Sequence, residues 1–368
     1  MHYDTDILVV GGGVNGAGIA RDAAGRGFSV TLCERDDLAS HTSSASTKLI
    51  HGGLRYLEHY EFRLVAKALA EREVILHLAP HIAWPMLFVL PHESSLRPAW
   101  MIRLGLLLYD SLGAGHRTLA DSHAVDLGSH VSGVALNDGY SRGFVYSDGW
   151  VQDSRLVVLN AMDAAQRGAD IRVRTRCQAA HVESGVWHAQ LRGADGRRET
   201  LRARVLVNAC GPWAGSFLGS ALGRRKHPKL RLVKGSHIVL PRLFDHDYAY
   251  IFQQPDRRIV FAIPYETDYT LVGTTDVDYH ADPADVHIEA DEIRYLCDAM
   301  TRHFRDPVRV EDVVWSYSGV RPSLDAVGHA SSVTRISPLA PTRAPDPALT
   351  HQPWLQDRNS RTSGPHPA

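Results

Sequence analysis

A glycine triplet set between a strand and a helix constrains this chain more than any other feature. Asp6 to Val10 is a short apolar run that ends in Gly11-Gly12-Gly13, and Asn15 to Arg26 then carries Ile19, Ala20, Ala23 and Ala24 at helical spacing. Gly25 and Gly27 close that helix, and Ser29 to Cys33 reads as a second strand. In such a βαβ unit, Gly11-x-Gly13-x-x-Gly16 supplies small residues for a tight turn, for close approach of a pyrophosphate and for close helix packing. The helix N-terminus adds amides and a positive dipole end for phosphates. Glu34 follows Gly16 by eighteen residues and ends the second strand, where its carboxylate suits a ribose diol. Gly11, Gly13, Asn15, Gly16 and Glu34 are therefore candidate dinucleotide-binding residues. FAD and NAD share this fingerprint, so the glycines alone do not separate them.

A length of 368 residues favours two domains. With 44% apolar and 22% charged residues the composition is that of a packed globular protein. Forty basic against 41 acidic residues leave a net charge of -1, so no whole-chain field recruits nucleic acid. The four cysteines show neither a disulfide framework nor zinc spacing, and the 21 histidines form no H-E-x-x-H motif, so no metal site is expected. The polar, acidic N-terminus is unlike a signal peptide, and no run of eighteen apolar residues occurs. These features lead to the expectation of a cytoplasmic chain.

Further along, Phe62, Val65, Leu69 and Leu76 mark a long helix ending near Pro80, and a strand-like run follows from Pro85 to Leu90. Leu96 to Gly113 and Leu156 to Gly168 read as helices, with Ile171 to Arg174 as a strand. From Leu230 to Tyr279, β-branched and aromatic runs bounded by turn residues predict an antiparallel sheet. The predicted fold is α/β, with a Rossmann-like cofactor domain (1–84, 146–215 and 310–330) and a discontinuous antiparallel-sheet substrate domain (85–145 and 216–309). Seven prolines without apolar periodicity mark 331–368 as a disordered tail.

Thr42 to Tyr56 adds chemistry to this frame. Ser44, Ser46, Gly52 and Gly53 suit a phosphate- and flavin-contacting loop, whereas Lys48, His51, Arg55 and Tyr56 suit an anionic substrate. A capped polar loop before the next helix is the alternative for the same residues. Continued through Phe62-Arg-Leu-Val65, the stretch resembles the aerobic, FAD-dependent glycerol-3-phosphate dehydrogenases. Ala70-Glu-Arg-Glu73, Leu96-Arg-Pro-Ala-Trp-Met-Ile-Arg103, Tyr146-Ser-Asp148, Asn208-Ala-x-Gly-Pro-Trp213, Lys234-Gly-Ser-His237, Gly273-Thr-Thr-Asp276 and Tyr317-Ser-Gly-Val-Arg-Pro322 match that family in order. The resemblance runs over roughly residues 5 to 335.

It implies a two-domain flavoprotein that oxidises the secondary hydroxyl of sn-glycerol 3-phosphate to dihydroxyacetone phosphate and passes electrons to a membrane quinone. The chain would then sit peripherally on the inner face of the cytoplasmic membrane, with a homodimer as a candidate assembly. Arg55 and Arg321 are candidates to grip phosphate, because a guanidinium fork matches phosphate oxygens. His237 and His51 are candidate general bases. Tyr56 is a candidate donor to substrate, and Gly211 and its neighbour Cys210 lie in a motif beside the cofactor. Membrane contact is expected from six cations among residues 224–234 (Arg224, Arg225, Lys226, Lys229, Arg231, Lys234) and from Trp100, Met101, Leu104, Leu107 and Leu108 on one helix. The family's Gly-Lys-Thr-Thr-Tyr-Arg motif and helical C-terminal domain do not follow Arg335, so the resemblance leads to the expectation of a truncated or frameshifted member, poor in flavin. Another FAD-dependent oxidase of hydroxy or amino substrates, and an inactive fragment, are the alternatives.

Overall fold

The computed structural model describes residues 2–93, 98–113, 119–224, 230–256, 258–324, 340–341 and 348–350. The chain opens with β1 (Thr5–Val10), α1 (Val14–Gly25) and β2 (Val30–Cys33), followed by the short β3 (Leu49–Ile50) and the long α2 (Phe62–Leu78). Next come β4 (Ala83–Pro91), α3 (Ala99–Leu112), β5 (His123–Asp126), β6 (Arg142–Val151), α4 (Asp153–Gln166) and β7 (Asp170–Arg172). A three-stranded meander, β8 (Arg176–Glu183), β9 (Val186–Arg192) and β10 (Arg198–Asn208), leads through α5 (Ala214–Ser220) to β11 (Leu230–Pro241). The remainder is β12 (Ala249–Gln253), β13 (Ile259–Tyr265), β14 (Tyr269–Gly273), β15 (Val277–Asp278), α6 (Ala290–His303), β16 (Trp315–Leu324), β17 (Ala340–Pro341) and β18 (Ala348–Thr350).

Two sheets organise these elements. In the first, β10, β1, β2 and β7 lie side by side and parallel, with β8 and β9 folded antiparallel onto β10. Val9 and Leu32 are fully buried under α1 and α4, and Leu8 on the opposite face is fully buried under the meander and α5 with Trp187, Leu191 and Phe217, each contributing about 1.5–3 kcal/mol of burial. The face of α1 turned inward is Gly16, Ala17, Ala20, Ala23 and Ala24, small enough to bring it close to the sheet and to Val157, Ala161 and Ala164 of α4.

The second sheet runs β15-β11-β14-β13-β12-β4-β6-β3, with β16 also on β11 and β5 also on β6. All its pairings are antiparallel except β12 with β4. One face packs on α6, a helix held by a capping box between Glu289 and Glu292 and buried through Leu296, Cys297 and Met300. The other face packs under α2 and α3 through Leu69, Phe88, Leu106, Tyr109 and Tyr146.

Strand pairing shifts the domain boundaries expected from sequence. β3, β16 and the part of β6 from Tyr146 on lie in segments assigned to the cofactor domain, yet all three strands hydrogen-bond within the second sheet. β16 runs beside β11 from Leu230↔Leu324 to Val239↔Trp315, and that long register holds it away from the first sheet. Of the tail expected to be disordered, only β17 and β18 are described, the latter parallel to β10; the rest lies outside the described residues.

Candidate functional site

Between the two sheets lies a cavity of about 630 Å³ whose walls run from Gly11, Gly13 and Asn15 to His51, Arg72 and Arg321. The strand-to-helix turn forms one end. Gly11 has φ +115°, donates its N–H to Cys33 O at 2.8 Å, and leaves no room for a Cβ against Ala209 O. A Cβ on Gly16 would overlap Gly11 O, so the third glycine lets α1 close on the turn. Ser43 Oγ accepts from Val14 N at 3.0 Å and bounds the turn from outside. Glu34 is buried just beyond the end of β2. Its two carboxylate oxygens accept from Gly12 N at 2.7 Å and Asp36 N at 2.8 Å, which leaves further lone pairs for a ribose diol.

The loop after β2 divides the sequence candidates. Ser46 Oγ donates to Asp153 Oδ2 at 2.7 Å, and Lys48 Nζ pairs with Asp153 Oδ1 at 2.7 Å. Asp153 is the first residue of α4 and is buried, so Lys48 is spent as a structural counter-ion rather than turned toward a ligand. Ser44 Oγ donates to His41 O, and Ser44 does not line the cavity; its neighbours Thr42 and Ser43 do. Gly52 gives its N–H to Tyr109 Oη at 2.8 Å and so has none to offer a cofactor. Gly53, with φ +73°, sits under the Tyr56 ring, and that ring is half-buried in the apolar cluster beneath α3. His51 is exposed and lines the cavity. The Arg55 side chain lies outside the described residues. Gly211, with φ +53°, lines the cavity beside Cys210 and Trp213.

The second sheet supplies the remaining wall. Arg321 of β16 lines the cavity and pairs with Asp276 at 2.5 Å. His237 of β11 is only 2% exposed and does not line it. Its Nε2 meets Thr47 Oγ1 at 2.9 Å, its ring stacks on Tyr317 at 4.8 Å, and Tyr317 Oη donates to Ser46 O at 2.8 Å. Burial, reinforced by the charges of Lys48 and Arg321, lowers its pKa to about 3, so this histidine stays neutral. Sequence reasoning missed Ser43, Asp153 and the Arg35–Trp213 pair. The Arg35 guanidinium lies 4.1 Å over Trp213, whose indole N–H reaches Asp282 across to the second sheet's segment. Arg35 could have been read from its place beside Glu34, but Asp153 has no local signal.

The basic cluster is also redistributed. Lys234 is buried, 2.7 Å from Glu292, so it does not face a membrane surface, and Arg231 pairs with Asp278. Residues 225–229 lie outside the described residues. Trp100, Met101, Leu104, Leu107 and Leu108 of α3 are exposed. Among the described residues no helix is long and apolar enough to cross a membrane, and no cluster of His, Cys, Asp and Glu suits a metal ion.

A glycine turn that opens a βαβ unit onto a cavity closed by a second, mainly antiparallel sheet defines a dinucleotide-binding protein of two sheets. The chain belongs to the DAO family of FAD-dependent oxidoreductases, whose profile matches residues 6–341. It is 53% identical over 331 residues to a glycerol-3-phosphate dehydrogenase of Pseudomonas aeruginosa, covering 90% of this chain and 64% of that protein. It is 51% identical over 332 residues to a D-erythritol 1-phosphate dehydrogenase of Brucella abortus, covering 90% and 66%. The chain thus spans about two thirds of the length of these relatives. Among solved structures, a glycerol-3-phosphate dehydrogenase of Bacillus halodurans complexed with FAD superposes with a TM-score of 0.69 at 26% identity, over 94% of this chain and 60% of that one. A glycine oxidase of Geobacillus kaustophilus shares the fold with a TM-score of 0.71 at 20% identity, over 95% and 89%.

The cofactor is FAD, and the residues present fit it. Asn15 Oδ1 is buried at the cavity wall without a partner among the described residues. The glycine cradle that a Cβ would fill, the carboxylate of Glu34 and the amide N–H groups at the start of α1 complete a site for a pyrophosphate and ribose.

Proposed function

We propose that this chain oxidises the secondary hydroxyl of sn-glycerol 3-phosphate to dihydroxyacetone phosphate. The observation that carries this reading is that one cavity joins the glycine turn to a histidine, His51, and a guanidinium, Arg321, the groups that removal of a hydroxyl proton and recognition of a phosphate require. The 53% identity to a glycerol-3-phosphate dehydrogenase supports the same substrate. FAD, when bound, accepts the hydride from the carbinol carbon. Arg321, oriented by Asp276, binds the phosphate, and Arg55 is a second cation on the same loop as His51. His51 rather than His237 takes the hydroxyl proton, because His51 reaches the cavity whereas His237 is buried behind Thr47. Tyr56 walls the loop. Residues Gly11, Gly13, Asn15, Gly16, Glu34 and Gly211 hold the cofactor.

Electrons leave to a membrane quinone in this reading, with the exposed apolar face of α3 resting on the inner leaflet of the cytoplasmic membrane. The relative from Brucella abortus supports a second reading, oxidation of D-erythritol 1-phosphate, which has the same phosphate and a longer polyol. The test is steady-state reduction of a soluble quinone analogue by FAD-reconstituted protein, offered glycerol 3-phosphate, D-erythritol 1-phosphate, glycerol or glycine. Turnover with glycerol 3-phosphate well above the others is expected. Preference for the erythritol phosphate selects the second reading, and turnover with glycine alone refutes both.

A further inference from the structure

Behind the loop that carries His51 lies a polar cluster in an otherwise apolar setting. Arg72 of α2, Glu73 beside it, Tyr109 of α3 and Asp148 of β6 are each less than 8% exposed. Asp148 Oδ1 accepts from Arg72 Nη1 at 2.8 Å, and Arg72 Nη2 reaches Glu73 at 3.1 Å. The Tyr109 hydroxyl donates to the Asp148 carboxylate, at 2.8 and 2.9 Å from its two oxygens. Having donated its proton there, the phenol oxygen is an acceptor toward the loop, and it receives Gly52 N–H at 2.8 Å with Asp148 Oδ1 at 3.3 Å.

A buried ionic cluster of this kind is a poor source of net stability, since apolar side chains of similar volume often do as well. What it does supply is a fixed address for one amide. Gly52 N–H is buried, so without Tyr109 Oη it would be left with only the longer 3.3 Å contact to Asp148 Oδ1. The glycine is required by the same contact, because a Cβ there would lie 2.6 Å from Tyr109 Oη. Gly53 then turns at φ +73° and sends the chain into the 3₁₀ turn Leu54–His59, which carries Arg55 and Tyr56. His51 precedes the pinned amide directly and forms cavity wall.

We propose that Tyr109 and Asp148 are positioning residues, which hold the Gly52 amide and through it set His51 against the substrate side of the cavity. This rests on the reading of that side as the substrate end, and the test separates the two.

The experiment is hydrogen exchange followed by mass spectrometry on the FAD-loaded wild type and Tyr109→Phe, with kinetics on the same samples. Phenylalanine keeps the ring packing and removes only the hydroxyl. Peptides covering residues 50–57 should exchange about five- to tenfold faster in the variant, the factor for loss of one neutral hydrogen bond, while peptides in α2 and β6 keep their wild-type rates. KM for glycerol 3-phosphate should rise by a similar factor, with a smaller change in kcat and unchanged flavin content. Unchanged exchange over 50–57, or equal acceleration in α2 and β6, overturns the positioning role. Localised acceleration with unaltered KM and kcat overturns its link to substrate. If Tyr109→Phe does not accumulate as folded protein, Asp148→Asn is read by exchange over 50–57 and by KM alone, because Asp148 lies in β6 and pairs with Arg72 of α2; unchanged exchange over 50–57 again overturns the positioning role. Failure of the wild type to oxidise either polyol phosphate would sink the proposed function, while the exchange data would still decide whether the amide is pinned.

Discussion

At the glycine-turn end of the cavity most contacts come from one stretch of chain, residues 11–43: Gly11 on Cys33, Gly12 on Glu34, Val14 on Ser43, with Ala209 from the far end of β10 closing the back. The wall that carries His51 and Arg321 is assembled instead from partners far apart in sequence, Lys48 with Asp153, Gly52 with Tyr109, Thr47 with His237 and Arg321 with Asp276. The first end is shaped by local backbone geometry that glycine alone allows. The second depends on the two sheets having docked, so its geometry is a tertiary product. A substitution at the first end should therefore act mainly on cofactor, and one at the second on the joint between sheets or on substrate.

The largest effect should come from Lys48→Met. It strands the Asp153 carboxylate, whose side chain is 10% exposed against 13% for Lys48, and removing one partner of a buried pair costs about 3 kcal/mol or more. A clear fall in the urea midpoint is expected, and a midpoint within error of wild type would show that the joint does not rely on this pair.

Glu34→Ala comes next. It removes the acceptor for Gly12 N and Asp36 N, a loss of about 1.5–3 kcal/mol for a charged acceptor. Because those bonds exist within the protein itself, cofactor-free protein should also lose stability, alongside weaker FAD retention on dialysis. Loss of flavin with no change in apo stability would mean that Glu34 acts on the cofactor alone.

Arg321→Lys exchanges a fork for a point charge beside Asp276. A fall of about tenfold in kcat/KM for glycerol 3-phosphate, equivalent to about 1.4 kcal/mol, is expected while any oxidation of unphosphorylated glycerol is spared. Equal losses on both substrates would make the pair purely structural.

The smallest effect is a pH dependence. His237 has its pKa lowered to about 3 by burial, whereas in the unfolded chain it titrates near its ordinary value. Above pH 6.5 it contributes nothing, since both states are neutral. Between about 6.5 and 3 the unfolded state binds the extra proton, so stability falls as pH falls through that window. His303, buried and lowered to about 4, adds to the same slope. His237→Gln should lose less stability than wild type between pH 7 and 5 in urea titrations, and an identical slope would contradict the assignment.

The same contrast explains what could be read from the sequence. The βαβ opening was legible because its spacing of Gly11, Gly13 and Gly16, its alanine face and Glu34 are local patterns, and β11 to β14 were legible from their β-branched runs. The place of β16 was not, because only its long register with β11 decides which sheet it joins. Lys48 and Lys234 read as free cations since nothing nearby in sequence marks Asp153 or Glu292 as their partners. That His237 is buried could not be read from sequence, because burial is a property of the folded sheet. Leu104 and its neighbours on α3 were expected at a membrane surface, and they are exposed.

The most direct test of the division between the two ends is anaerobic mixing of FAD-loaded protein with glycerol 3-phosphate, following loss of the oxidised flavin absorbance in wild type, Arg321→Lys and Glu34→Ala. Wild type should bleach with a rate that saturates in substrate. Arg321→Lys should need more substrate for the same rate at full flavin content, and Glu34→Ala should carry less flavin but bleach what it holds with wild-type substrate dependence. If Glu34→Ala shifts the substrate dependence as Arg321→Lys does, or if Arg321→Lys loses flavin instead, the cavity has no separate cofactor and substrate ends and the account fails.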